Sequence, residues 1–140
     1  MIDGVGIGIV EISRIGRAVA GRPESIRRWF TGEEWDRACS RVRKVEDLAS
    51  RYACKQAVRN ALDRHRCYGA RILLSNIITS NDSLGKPLAA LTGEAATRAG
   101  IEPGSTREIQ VSITNSRDWA AAVAVFCRDT AAGSSGEEHL

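Results

Sequence analysis

The sequence predicts an α+β domain: a mainly antiparallel sheet with helices packed on one face. Three observations carry this expectation. Gly4 to Ile12 alternates small residues with Val5, Ile7 and Ile9 before reaching Val10 and Ile12, which reads as a buried strand. Val45 to Arg64 is the longest segment with helical spacing, and Ala49, Ala53, Ala57 and Ala61 form a thin seam along it suited to close packing. Near the C-terminus, Glu108 to Thr114 alternates cleanly and Trp119 to Cys127 is a long apolar run, so both read as strands.

Taken in order, the first strand carries Gly4, Gly6 and Gly8 two residues apart, so one of its faces has no side chains and something must approach the backbone closely there. That run is not a dinucleotide loop, because it lies within the strand and lacks a third glycine at the required spacing. Ser13 to Ala20 reads as a short helix. Pro23 to Phe30 reads as a second, with Ile26, Trp29 and Phe30 on its buried side. Thr31 followed by Glu34 is a capping box that starts a helix through Arg41. Beyond the long helix, Ile72 to Ile78 is β-branched and reads as a strand. Asn81 to Pro87 is a turn, rich in residues that tolerate positive φ, and Leu88 to Leu91 is a short strand. A helix is expected from Thr92 or Gly93 to near Gly100, then a turn at Pro103-Gly104-Ser105. One domain is expected over residues 1–128. Asp129 to Leu140 is small and polar, and a disordered tail is expected there.

A chain of 140 residues suits one compact domain, and 43% apolar residues is ordinary for a globular protein. The formal charge of +3 is too small to argue for nucleic acid, and the basic residues near Trp29 and Trp35 are interspersed with Glu33, Glu34 and Asp36. Only Lys44, Lys55 and Lys86 are lysines, so arginine supplies nearly all the positive charge. Two explanations stand: a preference for arginine codons, or a surface that meets phosphates and carboxylates with a rigid bidentate fork. The cysteines Cys39, Cys54, Cys67 and Cys127 form no CxxC pair, and no histidine sits at zinc-ligand spacing. His65 lies in a charged helix end and reads as solvated, and His139 lies in the tail. Residues 1–10 lack the basic leader and apolar core of a signal peptide, and no apolar run reaches membrane-spanning length. A cytoplasmic protein is therefore expected, with neither membrane nor nucleic acid as partner.

Three blocks carry a family resemblance. The first is Gly4-Val5-Gly6-Ile7-Gly8-Ile9-Val10-Glu11-Ile12-Ser13-Arg14. The second runs from Arg28-Trp29-Phe30-Thr31, with Glu34, to the helix stretch Arg51-Tyr52-Ala53-Cys54-Lys55-Gln56-Ala57-Val58-Arg59-Asn60-Ala61. The third joins Gly85-Lys86-Pro87 to Val111-Ser112-Ile113-Thr114-Asn115-Ser116, ending in Trp119-Ala120. In this order and spacing they resemble the holo-acyl carrier protein synthases of the 4′-phosphopantetheinyl transferase superfamily. That family moves the phosphopantetheine arm of coenzyme A onto a serine of an acyl carrier protein. The resemblance implies a 4′-phosphopantetheinyl transferase-like fold, a homotrimer with sites between subunits, and work in fatty-acid or polyketide type biosynthesis. It places Arg51, Lys55, Gly85, Lys86, Pro87, Ser112 and Thr114 on the cofactor side, for coenzyme A or a phosphopantetheine arm. Arg14 and Arg28 match positions that meet the acidic carrier protein.

The chain departs from the family where the chemistry sits. Gly8 stands where the family has a metal-binding Asp, and Gln56 where it has a metal-binding Glu. Asn60 replaces the catalytic Lys and Asn115 the His of the final block. Each change removes charge or a titratable group, so magnesium is not expected and the usual transfer is expected to be lost. Losing proton transfer alone costs about 10²–10⁴ in rate. Gln56, Asn60 and Asn115 nevertheless keep hydrogen-bonding capacity. If they converged, they would line a neutral pocket able to orient an acyl chain on its arm, with Glu11 as one of few acid–base groups at hand. Two alternatives stand beside this repurposed enzyme: a non-catalytic carrier-protein-binding module, and a still active synthase.

Overall fold

The computed structural model describes residues 1–63 and 72–128. The expectations for Arg64, His65, Cys67, His139 and the tail from Asp129 lie outside the described residues. The elements run β1 (Ile2–Glu11), α1 (Ile12–Gly21), α2 (Pro23–Arg27), α3 (Gly32–Cys39), α4 (Lys44–Asp63), a 3₁₀ turn (Leu74–Asn76), β2 (Ile77–Asn81), β3 (Pro87–Leu91), α5 (Gly93–Ala99), β4 (Ile109–Asn115) and β5 (Trp119–Cys127). Every strand pairing among the described residues is antiparallel. One sheet has the order β1-β5-β4, and β2 and β3 form a separate hairpin. The expected α+β class is therefore the observed one.

The long helix α4 lies across the inner face of the β1-β5-β4 sheet, and the glycines of β1 explain how closely. Gly6 and Gly8 are buried against it. A Cβ built on Gly6 would fall 2.1 Å from the Ala57 carbonyl oxygen, and one on Gly8 would fall 2.1 Å from that of Ala53. The alanine seam supplies the other half of the contact, since Ala49, Ala53, Ala57 and Ala61 are all buried. The period of two in a strand then sends Val5, Ile7 and Ile9 to the opposite face, where each is more than half exposed. This corrects the reading of a strand buried through its branched residues: the glycine face is the inner one.

Other boundaries shift for local reasons. The capping box is present, with Thr31 Oγ1 accepting from Glu34 N and Glu34 Oε1 accepting from Thr31 N. It starts α3, which ends at Cys39 rather than Arg41. Helix α2 stops at Arg27, while Ile26 and Phe30 are buried and Trp29 stacks on Tyr52 with ring centroids 4.8 Å apart. Ile72 to Ile78 is not one strand. The chain turns through the 3₁₀ segment first, and carbonyls at Leu74 and Ile77 serve Lys55. Helix α5 begins after Thr92 and is closed by Gly100 in the left-handed region, at φ 71°, where a side chain would be strained. Cys54 is buried on α4, and loss of hydration pushes its thiol up to about 12, so it behaves as an inert core residue.

A buried ion pair and its hydrogen bonds join four elements: α3, α4, the 3₁₀ turn and β2. Lys55 Nζ lies 2.8 Å from Glu34 Oε1 and also donates to the carbonyls of Leu74 and Ile77. Glu34 Oε2 accepts from Thr79 N at 2.7 Å and from Thr79 Oγ1 at 2.6 Å. All three ammonium protons have partners, and both carboxylate oxygens are used twice. Burial raises the Glu34 carboxyl, but the Lys55 ammonium and the hydrogen bonds from Lys55, Thr79 and Thr31 outweigh it and hold the group below its ordinary 4.5.

Removing one partner strands a buried charge, so Glu34→Gln or Lys55→Met is expected to cost about 3–5 kcal/mol in urea unfolding. The double variant should cost less than the sum of the two. Because the native carboxyl of Glu34 titrates below 4.5, its stabilisation is complete above that pH. It is lost as pH falls through the lowered native value. The stability gap between wild type and Glu34→Gln should therefore be full at pH 7 and shrink as urea titrations move below pH 4.5.

Candidate functional site

Two adjoining clefts flank the N-terminal half of α4. The larger, about 810 Å³, is lined by Arg41, Arg43 and Glu46 at the start of α4, by Asp47 and Ser50 along it, and by Asn115, Ser116 and Arg117 at and beyond the end of β4. Asp47 and Ser50 also belong to the second, about 230 Å³, which continues past Arg51 to the β2–β3 hairpin at Gly85 and Pro87. Three guanidinium groups stand at this helix start, where Glu46 and Asp47 of the first turn pair with Arg43 at 3.7 Å and Arg41 at 3.9 Å, so Arg117 is the cleft arginine with no such partner among the ion pairs of the described residues. The combined surface suits a ligand carrying phosphates at one end and a slimmer polar portion at the other.

Two hydrogen-bonded groups shape the cleft walls. Asn115 Nδ2 donates to Ser50 Oγ at 2.9 Å, pinning the end of β4 to α4. Arg51 is buried, donating to Asp47 Oδ2 at 2.9 Å and to Thr79 Oγ1 at 2.9 Å. It therefore ties α4 to β2, and only its flank faces the cleft. Arg41 lies 3.9 Å from the other oxygen of Asp47 and remains largely exposed.

The residues expected in the site divide clearly. Arg51, Gly85, Pro87 and Asn115 line the clefts. Lys55 does not, since it is fully buried and its donors are engaged. Lys86 sits in the hairpin turn, its backbone N–H donating to Asp82 Oδ1. Ser112 and Thr114 are exposed on the outer face of β4, opposite Val123 and Ala121 of β5. Glu11 is exposed at the end of β1, paired with Trp119. Arg14 on α1 and Arg28 after α2 are both exposed, where an acidic partner could reach them. Spacing in the sequence does not single out Arg41, Arg43 and Arg117, and the only hint of them is the bias toward arginine.

The three amides do not form one pocket. Gln56 and Asn60 are one turn apart beside β1, whereas Asn115 bonds Ser50, ten residues or ~15 Å of helix rise from Asn60. Asn60 Nδ2 donates to the Ile7 carbonyl at 2.9 Å, so it is already used in holding β1 to α4. Gln56 Oε1 is buried with no hydrogen-bond partner, the one orphaned acceptor along the described part of α4.

A magnesium ion of the kind the resemblance implies would need positions 8 and 56. Magnesium asks for near-octahedral oxygen ligands, carboxylates foremost. Gly8 offers no side chain and its inner face is filled by the helix, so the neutral Gln56 oxygen is the single side-chain donor between them. Among the described residues no cluster of three acidic, histidine or cysteine groups could hold a metal. These residues do not fit the ion.

No protein-family model matches the chain. A protein of Alteromonas mediterranea named holo-[acyl-carrier-protein] synthase is 35% identical over 125 residues, covering 89% of this chain and 96% of that relative. The crystal structure of holo-[acyl-carrier-protein] synthase from Neisseria meningitidis superposes with a TM-score of 0.72 at 28% identity, covering 91% of this chain and 100% of that one. The holo-(acyl-carrier-protein) synthase of Bacillus anthracis, solved in complex with CoA (3′,5′-ADP), superposes with a TM-score of 0.67 at 26% identity over 90% of this chain and 96% of that one.

Because the Asn115–Ser50 bond is exposed, Asn115→Ala should lower stability by only about 0.5–1.5 kcal/mol in urea unfolding. A larger loss would mean that the end of β4 needs this bond to stay folded.

Proposed function

The chain belongs to the holo-[acyl-carrier-protein] synthase family, and from that premise we propose that it binds coenzyme A and an acyl carrier protein in fatty-acid or polyketide type biosynthesis. The observation that carries this reading is the arginine-lined cleft at the start of α4, continuous with the groove at Gly85 and Pro87. Arg41, Arg43 and Arg117 would take the phosphates of the nucleotide end, and the slimmer groove past Arg51 would take the extended remainder. Arg14 and Arg28 would meet the acidic carrier surface, which governs encounter rate and partner choice more than final affinity.

Oligomerisation fits the same reading. The outer face of the sheet carries Val5 (57% exposed), Ile7 (65%), Ile9 (57%), Trp119 (48%) and Val123 (36%) in adjacent register positions. A contiguous apolar patch of this kind is typical of a protein–protein contact. A homotrimer packed through this face would bring a neighbouring subunit against Ser112 and Thr114. Those two residues would then serve a site shared between subunits.

A second reading is favoured by the neutral centre. Gly8, Gln56, Asn60 and Asn115 leave no carboxylate, lysine or histidine at the positions where the family's reacting groups would stand. Such a centre would position a carrier-bound acyl chain rather than exchange protons with it, and Asn60 and Asn115 stand apart, each with an amide donor committed to the protein. No membrane contact enters either reading, since no helix among the described residues is long and apolar enough to cross a bilayer.

Incubation of the protein with apo carrier protein, coenzyme A and Mg²⁺, read by mass spectrometry, separates these possibilities. Gain of the arm's mass supports a working synthase. Retention of the apo mass with measurable binding of both ligands supports recognition alone. A changed acyl group on a loaded carrier supports the second reading. If the arginine cleft holds phosphates, Arg41→Ala with Arg117→Ala should weaken coenzyme A binding by about a hundredfold or more in calorimetry, since each charge-assisted bond is worth about 1.5–3 kcal/mol. Ile7→Glu should convert a trimer to smaller species in sedimentation, with the fold retained by circular dichroism.

A further inference from the structure

We infer that the junction between β1 and α4 is an ion-free lock, in which two glycines and the amide of Asn60 join strand and helix without a divalent cation. Three observations at one place support this. Gly6 and Gly8 sit so close to α4 that a Cβ on either would fall 2.1 Å from a helix carbonyl oxygen. Asn60 Nδ2 donates to the Ile7 carbonyl at 2.9 Å, between those two glycines in sequence, so the strand is hydrogen-bonded to the helix where it also touches it. Gln56 has its own Cβ only 3.0 Å from where a Cβ on Gly8 would stand, and it contributes one uncharged oxygen and nothing that balances a double positive charge.

Space and charge both exclude the ion. A hydrated magnesium ion and its ligands need room between strand and helix, and here backbone meets backbone. The desolvation cost of bringing a divalent cation into this contact would have to be met by anionic ligands, and neither position 8 nor position 56 supplies one. In a metal-bridged arrangement the ion itself spans the two elements. In this chain the amide does so, and the strand keeps its place whether or not cations are present. Coenzyme A binding, which is the proposal above, is not needed for this inference.

The probe is Mn²⁺ alone, added to the full chain without coenzyme A and followed by electron paramagnetic resonance. The free-ion signal is expected to persist at one equivalent per chain, and the melting temperature is expected to be the same in Mg²⁺ and in EDTA. A saturable site of one Mn²⁺ per chain that Gln56→Ala removes would overturn the lock. Asn60→Ala should lower the melting temperature by roughly 2–6 °C, the shift produced by losing one hydrogen bond. Gly8→Asp should lower it by roughly 5–10 °C, the effect of overpacking a closed contact. Unchanged melting in Gly8→Asp, together with Mn²⁺ uptake by Gly8→Asp/Gln56→Glu, would show that strand and helix part readily and would also refute the lock. Each outcome is read without carrier protein or cofactor, so failure of the functional proposal leaves this result standing.

Discussion

Gly6 and Gly8 rest on the backbone of α4 with no side chain between, and Ala53, Ala57 and Ala61 on the helix are equally small. Much else follows from this contact. With the inner face of β1 made of glycine, the strand's apolar side chains are committed to the outer face by the period of two. A domain of this size rarely leaves so many branched residues in water, so the same contact that shapes the interior also creates a surface suited to self-association. It decides where a ligand can go as well. Strand and helix are closed together along Gly6 and Gly8, and the open space lies toward the N-terminal half of α4, beside Ser50 and the end of β4.

The Glu34–Lys55 pair is the second constraint, and it works by satisfaction rather than by attraction alone. Burying two charges costs several kcal/mol each, which an ion pair offsets only when the remaining lone pairs and protons are also used. Here they are: Thr31, Thr79, Leu74 and Ile77 complete the set. The partners come from α3, the 3₁₀ turn and β2, so one pair fixes three elements around α4. Arg51, one helical turn before Lys55, extends the arrangement to Asp47 and the rim of the cleft. The wall of the second cleft is thus tied to the core through Arg51.

The fold was legible because its signals are local and periodic. Glycines two apart imply a close neighbour, the alanine seam implies a helix able to pack closely without saying against what, and Thr31 with Glu34 implies the start of α3. What sequence could not reveal was direction. Period-two alternation is the same whichever face turns inward, so Val5, Ile7 and Ile9 read as core from sequence although the glycine face is the one packed on α4. Lys55 likewise reads as a cofactor residue by position, while its burial depends on carbonyls from residues 74 and 77, far along the chain. The cleft arginines Arg41, Arg43 and Arg117 come from two distant segments, and no spacing rule joins them. The hairpin residues Gly85 and Pro87 were legible because turn chemistry is written in consecutive residues.

Charge in this molecule is placed at the rim of the cleft and withheld from the junction of β1 and α4. Under the proposed function, arginines at the rim would raise the local concentration of an anionic ligand and orient it, an effect that needs no reacting group. Turnover asks for something different: a group whose interaction grows as the transition state forms. Neutral amides neither remove a serine proton nor neutralise the phosphate that leaves when the diphosphate of coenzyme A is cleaved. The rim arginines and the amides of α4 lie on different parts of the fold, so a substitution at one set leaves the geometry of the other in place.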